Sequence, residues 1–107
     1  MSMLEFYTLR ILNLFSFTVS KEVFAKAREI VESWCREANA EKLSTRDSTI
    51  WYGKNTVYAQ YYCRVGEAGT HCTLVVYDKN LAEFLLQALL SELSYAQGQQ
   101  QGRLPGV

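Results

Sequence analysis

The chain predicts an α+β fold, a two-layer sandwich with both helices on one face of an antiparallel sheet. Three observations carry that reading. Apolar residues recur at helical spacing between Ser20 and Asn39. Three runs rich in β-branched and aromatic residues lie between Thr49 and Tyr77, separated by glycine-bearing turns. A second apolar, helix-forming stretch follows Asp78. With an alternating segment ahead of the first helix, the predicted order is strand, helix, three-stranded antiparallel meander, helix.

Each element has its own local signature. From Phe6 to Val19 the residues Leu9, Ile11, Phe15, Phe17 and Val19 keep one period-2 register, as in a half-buried strand, and Asn13 interrupts it, so that either a bulge there switches the inward face or the strand is covered on both sides. Ser20 is a good N-cap and Glu22 suits the first turn of a helix. Val23, Phe24, Ala27, Ile30, Val31, Trp34, Cys35 and Ala38 form its apolar stripe, and Asn39 ends it. On the opposite face, Glu22 with Lys26 and Glu32 with Arg36 are i,i+4 pairs of a solvated surface. Ala40 to Ser48 reads as a polar connector. The strands Thr49 to Tyr52, Thr56 to Val65 and Thr70 to Tyr77 turn at Gly53-Lys54-Asn55 and Gly66-Glu67-Ala68-Gly69. Asp78 caps the last helix, from about Lys79 to Ala96. Residues 1–96 form one domain, and residues 97–107, rich in Gln and Gly, form a flexible tail.

With 49% hydrophobic residues, the 107-residue chain can bury one core without metals or staples. Eleven basic and eleven acidic residues cancel, so no whole-molecule field draws nucleic acid or an anionic membrane. Glu5, Arg10 and Asn13 break the N-terminal apolar stretch, which reads as neither signal peptide nor membrane span. Three cysteines without CxxC-type spacing point to a reducing, cytoplasmic setting.

The turns also predict which residues face each other. A tight turn at Lys54-Asn55 places Trp51 opposite Tyr58, and a loop at Gly66 to Gly69 places Cys63 opposite Cys72 and Arg64 opposite His71. Ile50, Tyr52, Val57, Ala59, Tyr61, Cys63, Leu74 and Val76 then point to the helices. Trp51, Tyr58, Tyr62, Arg64, His71 and Tyr77 gather on the outer face, and aromatics with Arg are what protein interfaces are enriched in. The same face could stack single-stranded bases, a reading disfavoured by its few basic residues and by the absence of an RNP-type octapeptide.

Along the last helix Leu81, Phe84, Leu85, Ala88, Leu89, Leu93 and Ala96 make a core stripe, which Leu86 and Leu90 widen beyond what one small domain can cover. A second copy of the chain is the economical cover, with Leu86 and Leu90 at the dimer interface. Cys63 and Cys72 are within disulfide reach as a redox pair, although buried cysteines acting as small hydrophobes are the plainer expectation. No metal site or cofactor is expected. His71, with Arg64 and Tyr62, is the one starting point for an enzyme, and no nucleophile motif or phosphate loop accompanies it. The sequence therefore predicts a small non-enzymatic accessory or regulatory module. It is homodimeric, and it binds a protein partner through the aromatic sheet face or the Leu-rich helix.

Overall fold

In the computed structural model, which describes residues 4–101 and the side chains of 4–92, the N-terminal alternating segment is two strands rather than one bulged strand. β1 (Glu5–Ile11) and β2 (Phe15–Val19) form an antiparallel hairpin. Leu12 and Asn13 turn the chain with φ of 56° and 60°, a region that Asn tolerates better than most residues. The three-residue connection sets Leu9 opposite Phe17 and Ile11 opposite Phe15. Odd-numbered residues thus stay on one face of both strands, which is why the alternation runs through the turn unbroken.

The connector also contains a strand. β3 (Glu41–Ser44) pairs antiparallel with β4 (Ser48–Gly53), β4 with β5 (Thr56–Gly66), and β5 with β6 (Gly69–Val76). β6 then pairs in parallel with β1, giving one six-stranded mixed sheet in the order β2-β1-β6-β5-β4-β3. The expected layout of one strand and a three-stranded antiparallel meander is corrected accordingly. A parallel neighbour across more than sixty residues leaves no local trace in the sequence.

A bulge decides which residues reach the core. The turn at Lys54-Asn55 pairs Gly53 with Thr56 and Tyr52 with Val57 as expected, but Trp51 lies opposite Ala59, leaving Tyr58 as the extra residue of β5. Trp51 therefore faces the helices and is only 3% exposed, while Ile50 pairs with Gln60 on the opposite face. Tyr58 is half-buried, its ring edge-on to Trp34 at 5.4 Å and close over Gly53, where a Cβ would lie 2.6 Å from its hydroxyl. Beyond the bulge the predicted register holds, with Cys63 opposite Cys72 and Arg64 opposite His71.

Both helices cover one face of the sheet, the one that carries the odd-numbered residues of β1, β2 and β5 and the even-numbered residues of β6. α1 (Lys21–Glu37) starts where Ser20 Oγ accepts the Val23 N–H at 3.2 Å. It ends in a Schellman turn: Asn39, at φ 56°, donates its N–H to Arg36, and Ala40 donates to Cys35. Its buried face is Phe24, Ala27, Val31 and Cys35. α2 (Lys79–Gln101) starts at Asp78, whose carboxylate accepts the Leu81 N–H at 2.9 Å. It extends into the segment expected to be a tail, so that residues 97–101 are helical and 102–107 lie outside the described residues. Leu81, Ala82 and Leu85 join Leu9, Ile11, Leu74, Val76, Ala59 and Trp51 in one core. Phe84, expected in that core, is exposed, because the buried stripe is centred one residue further round the helix.

Candidate interaction surfaces

The helical face of the sheet is wider than its two helices. β2 lies at the edge beyond α1, and between it and α2 runs an apolar groove of about 620 Å³. Leu9, Ile11, Phe17 and Val19 form its floor, with Val23 on one wall and Leu86, Leu89 and Leu90 on the other. Lys26 and Glu92 close one rim as an ion pair at 3.3 Å. The two predicted interface residues separate here. Leu90 is largely exposed, whereas Leu86 is half-buried and packs on the core. Sequence reasoning missed Phe15 and Phe17, whose rings stack at 6.1 Å beside the groove. Their alternation was visible, but not that they stand on an edge strand without a helix above them.

The opposite face is an open sheet with a different composition from the one expected. Register places Phe6, Thr8 and Arg10 of β1 beside His71, Thr73 and Val75 of β6, and these beside Arg64, Tyr62 and Gln60 of β5. Trp51 and Tyr58 are absent from this face, for the reason given by the bulge. Tyr62, Arg64, His71 and Tyr77 are on it. The Arg64 guanidinium lies 6.0 Å from the Tyr62 ring centre, and Tyr77 donates its hydroxyl to Gln60 at 3.3 Å. His71 Nε2 is 2.8 Å from Thr8 Oγ1, and its ring stands edge-on to Phe6 at 6.1 Å. The groove described above and a second one of about 760 Å³ between α1 and α2 both lie on the helical side, and His71 lines neither.

Cys63 and Cys72 are joined in a disulfide between β5 and β6, with Cα atoms 4.0 Å apart. Tyr61, on the same face, donates its hydroxyl to Cys63 Sγ at 2.9 Å. Phe24 packs between Tyr61 and Tyr7, with ring centres 5.8 and 5.1 Å away, and Arg28 lies 4.1 Å over Tyr61. Cys35 is a buried free thiol whose pKa is pushed up to about 12, by burial first and then by Glu32 and Asp78, which disfavours the thiolate. Among the described residues, no group of three or more His, Cys, Asp or Glu is arranged to hold a metal ion. No described helix is long and apolar enough to cross a membrane.

Against known protein families, curated proteins and solved structures, the chain finds no match.

Proposed function

We propose that the chain is a small non-enzymatic interaction module that works as a homodimer and uses the groove between β2 and α2 as its principal contact surface. One observation carries the reading. A groove floored by Leu9, Ile11 and Phe17 and walled by Leu86, Leu89 and Leu90 opens to solvent beside further exposed apolar residues. Patches of this kind on a soluble domain mark contact sites. The helices leave most of the hairpin's outer strand uncovered: Phe15, Ser16, Phe17 and Thr18 are exposed, and only Val19 is half-buried. As a dimer, the module would keep its open sheet face for a regulatory or accessory contact.

The test is the solution mass by light scattering of the wild type and of Leu90→Glu. Leu90 is the cleaner site, since Leu86 also supports the core. A wild-type dimer that Leu90→Glu converts to a folded monomer supports the reading, and a wild-type monomer at all concentrations ends it.

A second reading, a platform for single-stranded nucleic acid, is favoured by the charge of the open face. Arg10 and Arg64 share it with Phe6, Tyr62 and the His71 ring, and the acidic strand residue on it is Glu41 at the β3 margin. Stacking on aromatics with backbone contacts from Arg is the recurrent mode of such binding. Because Trp51 is buried on the other face, its emission would not report the event. Fluorescence anisotropy of a labelled oligonucleotide at low salt would, and no binding by the wild type there removes this reading.

A further inference from the structure

We infer that β2 pairs edge to edge with β2 of a second copy of this chain, antiparallel about a two-fold axis through Phe17, so that two sheets become one of twelve strands. The inference rests on the proposed self-association and specifies how it occurs. The two edges of the sheet are not alike. β3 carries Glu41 and Lys42, the charges that natural edge strands use against further pairing. β2 reads Phe-Ser-Phe-Thr-Val, with no charge and no proline, and no bulge interrupts its pairing with β1. One edge is guarded and the other is open.

The occupant follows from the strand's own symmetry. An antiparallel pairing centred on Phe17 sets Phe15 against Val19 of the other copy, and Ser16 against Thr18. All apolar residues of both strands then stand on the helical face and all hydroxyl residues on the open face. The axis is perpendicular to the sheet, so both helix layers lie on one side and the two grooves meet across it. Exposed apolar surface supplies part of the contact. Leu14, Phe15, Phe17 and Leu90 are 73%, 53%, 44% and 60% exposed. With ~200 Å² for a large side chain, they offer about 460 Å² of apolar area per copy. That is about half of the ~800 Å² each partner buries in a stable complex. In this arrangement the remainder would come from the β2 backbone and the groove walls. No charge on β2 opposes the approach, and the chain as a whole is neutral.

A charge-swap pair tests the register. Ser16 and Thr18 are exposed, so their substitution spares the core. Ser16→Lys with Thr18→Lys sets like charges opposite each other twice across the axis and should weaken the dimer by about tenfold or more. Ser16→Lys with Thr18→Glu sets opposite charges there and should keep it. Masses come from light scattering, and circular dichroism confirms folding. A wild-type dimer indifferent to both variants overturns edge pairing while leaving self-association intact. Loss of the dimer in both overturns this register, and a monomeric wild type overturns the inference together with the reading it rests on.

Discussion

Trp51 donates its indole N–H to Glu32 Oε2 at 2.7 Å, and the other oxygen of that carboxylate is held by Lys42 of β3. The contact ties α1 to the sheet at the end where β3 and β4 leave the core, and gives a polar partner to a buried indole. Glu32 looked like half of a surface i,i+4 pair with Arg36, yet it reaches across to the sheet. Trp51→Ala should therefore act on folding and not on a partner. We expect a loss of about 3–5 kcal/mol by urea denaturation. Trp51→Phe, which keeps a ring and drops the donor, should cost about 1–3 kcal/mol.

Glu32 also gives the fold an acid-sensitive point. Burial works to raise its pKa, but the hydrogen bonds and charge of Lys42, with the Trp51 donor, outweigh it and hold the carboxyl below its ordinary value of 4.5. A depressed folded-state pKa adds stability above the unfolded value, and that stability is lost as pH falls through the folded one. Urea midpoints measured from pH 7 to pH 3 should fall more steeply below 4.5 in the wild type than in Glu32→Gln. Parallel curves would remove Glu32 from the acid response.

Gly69 is the residue that lets β1 reach β6. Its φ is +137°, and a Cβ there would lie 2.1 Å from the carbonyl oxygen of Leu4, the group that accepts the Thr70 N–H. Gly69→Ala should destabilise by about 2 kcal/mol or more, because both the backbone conformation and the strand approach must change. Thermal unfolding would show it, and an unchanged midpoint would mean that β1 does not seat there.

The cysteines divide by reactivity. The native protein should show no thiol to a maleimide, one after unfolding without reductant, and three after unfolding with it. The Cys63–Cys72 bond spans a sequence separation of nine, and closing so short a loop is worth about 2–3 kcal/mol. Reduction should lower the urea midpoint by a corresponding amount. An unfolded, unreduced chain with three free thiols would show that the bond does not form.

Much of this fold was legible because its signals are local. Ser20 and Asp78 bound their helices through side-chain caps, and Asn39 through its left-handed backbone, all decided by near neighbours. The loop from Gly66 to Gly69 set the pairing of Cys63 with Cys72. What escaped depends on distant partners. β3 is four residues long and polar, as an edge strand should be, and so resembles a connector. The bulge at Tyr58 is settled by which side chain packs better beneath α1, and the larger indole takes the core. Candidate surfaces divided the same way. Leu90 followed from helical period, and Tyr62, Arg64 and His71 from the meander. Phe6 and Arg10 reach the open face only through the parallel pairing of β1 with β6, and Phe17 is an edge residue only because that pairing puts β2 outermost.

That parallel pairing also sets an order of events during folding. The hairpin of β1 and β2 is synthesised first, but its place in the sheet does not exist until β6 has emerged and paired with β5. Until then Leu9, Ile11, Phe15 and Phe17 have no sheet to join, and a hairpin alone is marginal in water. Such long-range closure slows folding and lengthens the exposure of apolar strands. The strand we propose to meet a second molecule in the finished fold is thus also open to premature contact while the chain is being made.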